Sequence, residues 1–84
     1  MIIIDVRTAE EYAVTHANGA INFDVQRLSA GERPAIDKSE AIGVYCRTGN
    51  RSGMAKIILE NDGYQVENLG GLMDLQSNGF KFSN

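Results

Sequence analysis

The chain opens on an apolar run, Ile2-Ile3-Ile4, with Val6 beyond a single acidic residue, Asp5. A short continuous stretch of β-branched residues suits a strand buried on both faces. Thr8-Ala9-Glu10-Glu11 then reads as a capping box, with Thr8 as N-cap and Glu11 reaching back, so a short helix follows with Ala9, Tyr12 and Ala13 on one face. It fades near His16-Ala17-Asn18-Gly19, where Asn and Gly signal a turn, and Ala20-Ile21-Asn22-Phe23 predicts a second strand. Between Asp24 and Lys38, Gly31 and Pro34 interrupt the pattern and leave one short helix around Val25 and Leu28, then a loop. Ile42 to Cys46 predicts the third strand. Ser52 to Asp62 predicts a helix with Ala55, Ile58 and Leu59 on one face and Gly63 as its stop. Tyr64 to Leu69 completes the strands, Leu72 to Gln76 makes a last short helix, and the polar stretch 78–84 is expected to fray.

Strands alternating with helices imply an α/β fold: a central, mostly parallel sheet of about four short strands with helices on both faces. Ligands of such sheets bind outside the carboxyl ends of the strands. Cys46, the only cysteine, stands at such an end.

Length bounds the organisation: 84 residues make one domain, 1–84, with no room for a second. No apolar run approaches the roughly 20 residues of a membrane helix, so no membrane contact is expected. The expected compartment is the cytoplasm, or the periplasm if a leader has been removed, and the expected state is a monomer. One cysteine and one histidine, His16, offer neither an internal disulfide nor a zinc ligand set, so no metal and no cofactor is expected. His16 itself reads as a hydrogen-bonded residue at a helix end.

Charge sharpens the picture. The net charge is -3, yet no Asp or Glu occurs between Ala41 and Leu59, where Arg47, Arg51 and Lys56 fall. One local basic cluster is too small for a polyphosphate backbone, so nucleic acid is not expected, and a small anion fits better. The cluster surrounds Cys46-Arg47-Thr48-Gly49-Asn50-Arg51-Ser52, a strand-to-helix turn whose backbone N–H groups can point inward around an anion or a thiolate. A cysteine at the mouth of such a cradle ionises more readily than a free thiol, whose pKa is about 8.5.

A cysteine phosphatase or arsenate reductase would use similar parts, but with Cys-x5-Arg spacing. Here that position holds Ser52, and Arg51 makes the spacing Cys-x4-Arg. No acid lies within the stretch to protonate an alkoxide leaving group.

Four ordered motifs resemble the rhodanese (thiosulfate sulfurtransferase) family: Asp5-Val6-Arg7 with Glu10-Glu11-Tyr12; His16 with Gly19-Ala20-Ile21-Asn22; Val44-Tyr45 with the loop to Ser52; and Gly63-Tyr64 with Asn68-Leu69-Gly70-Gly71. The resemblance spans roughly residues 2 to 74 and is greatest to small single-domain bacterial members. It implies a rhodanese-like domain in which Cys46 takes a sulfane sulfur from thiosulfate, releases sulfite, and passes the sulfur to a thiol or cyanide acceptor. Arg47, Thr48, Gly49, Asn50, Arg51 and Ser52 would form the substrate loop, with Arg51 a firmer substrate contact than Arg47. Asp5 and Arg7 would brace that loop from below, and Gly70-Gly71 would serve close backbone packing. The alternative within the family is a persulfide carrier or regulatory module supplied by a protein sulfur donor.

Overall fold

The computed structural model describes all 84 residues. Its main sheet contains β1 (Ile2–Asp5), β3 (Ile21–Asn22), β4 (Ala41–Tyr45) and β5 (Gln65–Gly70), all parallel, in the order β3-β1-β4-β5. The helices are α1 (Ala9–Val14), α2 (Val25–Ser29), α3 (Asn50–Asn61) and α4 (Leu72–Ser77). A second, antiparallel pair joins β2 (His16–Ala17) to β6 (Phe82–Ser83). The expected α/β layering is present, because each central strand carries apolar side chains on both faces.

Alternation along the strands separates two cores. Ile4, Ile42, Val44 and Cys46 face α2 and α3, where they meet Val25, Leu28, Ala55 and Leu59. Tyr45, with Ile3 and Leu69 against it, faces the other way and packs with Ala17, Ala20, Leu75, Phe80 and Phe82. The helix ends follow local chemistry. Thr8 Oγ accepts from the Glu11 N–H at 3.2 Å while Glu11 reaches back to the Thr8 N–H at 3.1 Å, which is the anticipated capping box. Gly63, at φ 92°, ends α3 beyond its cap residue Asp62.

Two differences from the sequence reading matter. The helix carrying the active loop begins at Asn50, not Ser52, because Gly49 adopts φ 102° and turns the chain directly into it. Half of the loop is therefore the first turn of α3. The tail expected to fray is paired instead: Phe82 opposes Ala17, the Asn18 N–H donates to the Lys81 carbonyl at 2.8 Å, and Phe80 and Phe82 are half-buried. The alternation Phe80-Lys81-Phe82 was a strand signal within a stretch that looked polar as a whole.

The sheet also shifts register where the site begins. Val44 pairs with Asn68, but Tyr45 pairs with Gly70, so one residue of β5 is skipped. Such a bulge bends the strand and re-aims the chain that follows. Cys46, next in line, donates its N–H to the Gly70 carbonyl at 3.1 Å.

Candidate active site

Cys46 leaves the end of β4 and its sulfur meets the turn that follows. The Gly49 N–H donates to Sγ at 3.0 Å and the Ser52 N–H at 3.4 Å, while Ser52 Oγ also lies 3.4 Å away. Gly49 makes this closure possible: its positive φ folds the backbone over the sulfur, a conformation that a side chain disfavours. Ser52 is buried in the first turn of α3, where N–H groups have no intrahelical partners and are free to point at an anion.

The sulfur sits on the floor of the cradle and not at its mouth, since Cys46 is 1% exposed. Burial alone pushes the thiol pKa up, but hydrogen bonds from the Ser52 hydroxyl and from the Ser52, Gly49 and Thr48 amides outweigh it. The net shift is downward, toward the thiolate.

The loop is held by two neighbours. Gly71 lies so close that a Cβ there would collide with the Arg47 carbonyl oxygen, which accepts the Leu72 N–H at 3.3 Å. This is the close backbone packing expected of Gly70-Gly71. Asn68, in β5, stood in one of the quoted motifs but was given no role at the site from sequence. Its Oδ1 accepts from Ser52 Oγ at 2.7 Å and from the Gly70 N–H at 2.9 Å, and its Nδ2 donates to the Gly49 carbonyl at 3.3 Å. One amide thus ties both halves of the cradle to the sheet edge.

The arginines divide sharply. Arg51 is engaged by Glu11, Nη1 to Oε1 at 2.6 Å and Nη2 to Oε2 at 3.0 Å, a bidentate pair that spans α1 and α3. Arg51 holds the Glu11 carboxyl down to about 2, and Glu11 in turn raises Arg51. Glu11 looked like a capping residue alone, and it serves both ends. The side chain of Arg47 is exposed and forms no ion pair, as are Thr48 and Asn50 on the outer edge of the turn.

Asp5 and Arg7 lie below, both buried. Asp5 accepts from the Arg7 N–H at 2.9 Å, from Arg7 Nη2 at 2.7 Å and from the Tyr45 hydroxyl at 2.6 Å. Tyr45 accepts the Ala17 N–H at 2.9 Å, and burial followed by the Asp5 contact pushes its phenol well above the usual range. The network anchors the residue next to Cys46. His16 stands apart from the sulfur: its Nδ1 lies 2.8 Å from the Tyr12 carbonyl, which requires the proton there, and its ring stacks on Tyr12 at 3.7 Å.

The model of the rhodanese-like domain matches residues 1–78. The chain belongs to the rhodanese family. Among its rhodanese relatives, the thiosulfate sulfurtransferase PspE of Escherichia coli K12 is 45% identical over 74 residues, covering 86% of this chain and 71% of that protein. The adenylyltransferase and sulfurtransferase uba4 of Ogataea parapolymorpha is 35% identical over 72 residues, which are 83% of this chain but 18% of that one. Among solved structures, a rhodanese with anions from E. coli superposes with a TM-score of 0.81 at 38% identity, covering 99% of this chain and 96% of that chain. A rhodanese-like domain from Anabaena sp. reaches 0.88 at 27% identity, covering 100% and 99%.

Proposed function

We propose that this rhodanese-family chain is a sulfurtransferase that moves a sulfane sulfur from thiosulfate to a thiol or cyanide acceptor through a persulfide on Cys46. The observation that carries the reading is the convergence of the Gly49 and Ser52 N–H groups and the Ser52 hydroxyl on the sulfur of the sole cysteine. These donors favour the thiolate and remain in place for the sulfur it acquires.

The reaction follows from that geometry. The Cys46 thiolate attacks the outer sulfur of thiosulfate, the sulfur–sulfur bond of the donor breaks, and sulfite leaves with the electron pair. Arg51 offsets the incoming charge even while paired to Glu11, since it feels the Cys46 charge. An acceptor thiolate or cyanide then attacks the terminal sulfur and restores the Cys46 thiolate. Neither step needs a proton, which fits a site where His16 is turned toward the Tyr12 carbonyl. The buried position of Cys46 favours a thin inorganic donor over a protein-bound one.

Mixing the protein with thiosulfate should add one sulfur atom to its intact mass, and Cys46→Ser should abolish the gain. Alkylation of the unloaded protein should show an inflection below the free-thiol value of about 8.5. Absence of the mass gain together with turnover of an aryl phosphate would replace this reading by a phosphatase.

A further inference from the structure

The Ser52 hydroxyl has one proton and two neighbours able to accept it. Asn68 Oδ1 lies 2.7 Å from Ser52 Oγ, and Cys46 Sγ lies 3.4 Å away. A hydroxyl donates once, so its proton serves one of them fully at a time. The contact with Asn68 has the ideal O–H···O length, which puts the proton there and turns a lone pair of Oγ toward the sulfur. That arrangement suits a thiol, whose S–H finds an acceptor in Oγ. A thiolate in the same place would face a lone pair.

Asn68 is locked in the orientation that creates this competition. Its Oδ1 also accepts the Gly70 N–H at 2.9 Å, and its Nδ2 donates to the Gly49 carbonyl at 3.3 Å. A flipped amide would set N–H against N–H at Gly70 and oxygen against oxygen at Gly49. Ser52 is fixed as well, buried within the first turn of α3.

We propose that Asn68 is a positioning residue that keeps the Ser52 hydroxyl proton away from Cys46 while the sulfur is neutral and yields it when the sulfur carries charge. Its purpose rests on the sulfurtransferase reading, whereas the position of the proton rests on geometry alone. When the thiol loses its proton to water, the hydroxyl turns from Asn68 Oδ1 to Sγ and exchanges a neutral hydrogen bond for a charge-assisted one. The bond given up at Asn68 is subtracted from the gain at the sulfur. The resulting thiolate is more basic than an uncontested hydroxyl would leave it, and nucleophilicity rises with basicity. After sulfur transfer the charge lies on the outer sulfur, so the proton returns to Asn68. When the acceptor takes that outer sulfur, the electron pair of the broken bond returns to Sγ and the hydroxyl turns to meet it.

Charged neighbours do not supply this coupling. Arg51 of α3 feels the Cys46 charge, and Glu11 of α1 and Asp24 before α2 act on Arg51 in turn. Lys56 of α3 and Arg27 of α2 are paired with Glu60 and Glu32, and Asp5 of β1 with Arg7. β5 brings Val66 to the core around Cys46 and Asn68 to Ser52, neither of them charged.

The pH dependence of Cys46 alkylation in the whole, unloaded chain tests the proposal through its inflection and its high-pH plateau. Asn68→Ala removes the competing acceptor at an exposed position. The inflection should fall by about one pH unit and the plateau rate by about threefold. In a Ser52→Ala background the same substitution should move neither. Equal shifts in both backgrounds would mean that Asn68 acts through the loop backbone, and no shift, or an upward one, that it holds no proton; each overturns the proposal. The unaltered protein gives a second reading. The side-chain carbonyl carbon resonance of Asn68 should titrate with the Cys46 inflection, and that movement should be lost in Ser52→Ala. A resonance that ignores Cys46 ionisation, or moves as far without the hydroxyl, also overturns the proposal. Neither measurement uses thiosulfate. A chain that shows the coupling but gains no sulfur mass keeps this role for Asn68 and loses the sulfurtransferase reading, while one that loads sulfur without the coupling loses the Asn68 role alone.

Discussion

Two arginine–carboxylate pairs stand within reach of the same loop, and they differ in almost everything but chemistry. Asp5 and Arg7 are separated by one residue, have side chains 0% and 4% exposed, and are joined by the Tyr45 hydroxyl and the Thr15 carbonyl. Glu11 and Arg51 come from distant parts of the chain and have side chains 29% and 36% exposed. The first pair is surrounded by groups that depend on it, so removing either member strands a buried charge. The second can open toward water at little cost. A fold can therefore use one motif, carboxylate with guanidinium, as scaffold beneath the sulfur and as an adjustable charge at its rim.

The largest effect should come from breaking the lower pair. Asp5→Ala leaves Arg7 buried without its counterion and should cost about 3–5 kcal/mol, read from the urea unfolding midpoint. A loss under about 1 kcal/mol would show that the two pairs are equivalent after all. Tyr45→Phe should come next, at about 1–3 kcal/mol, because the buried Ala17 N–H loses the hydroxyl as its acceptor and Asp5 Oδ2 loses one donor while keeping Arg7. If the loss were negligible, the hydroxyl would not belong to the scaffold.

Glu11→Gln should be smallest, within about 1 kcal/mol at neutral pH, because the pair is partly exposed and Gln keeps a carbonyl for the Thr8 cap. Its signature lies in acid. The folded Glu11 carboxyl is depressed from 4.5 to about 2, chiefly by the Arg51 hydrogen bonds. Its contribution is complete above the unfolded value and fades as pH falls through the window from 4.5 to about 2. Unfolding midpoints measured across that window should fall less steeply in the Gln variant. Identical slopes would mean that Arg51 does not hold the carboxylate.

Much of the fold was legible from local pattern. The capping box at Thr8, the apolar runs of β1 and β4, the amphipathic residues of α3 and the stop at Gly63 each depend on residues within a turn or two of one another. The paired tail was the main loss, because two short aromatic positions in a polar stretch carry little signal until a partner strand is supplied. At the site, Ser52 and Gly49 were found as part of the loop, whereas Asn68 was seen only as a motif residue with no role at the sulfur. Its importance comes from contacts with Ser52 and Gly49, which stand 16 and 19 residues away along the chain and meet it only because β5 pairs beside β4.

The sequence alone determined the order of strands and helices, the position of the one cysteine at a strand end, and the length of the loop from Cys46 to Arg51. Those are properties of neighbours along the chain. Only the tertiary structure decided that the sulfur lies on the floor of its cradle and that Arg51 is committed to Glu11. Parallel strands need long crossovers, and these bring the ends of β1, β4 and β5 and the helices that follow them to one edge. Partners forty residues apart, such as Glu11 and Arg51 or Asp5 and Tyr45, meet there by topology, and no local spacing records it.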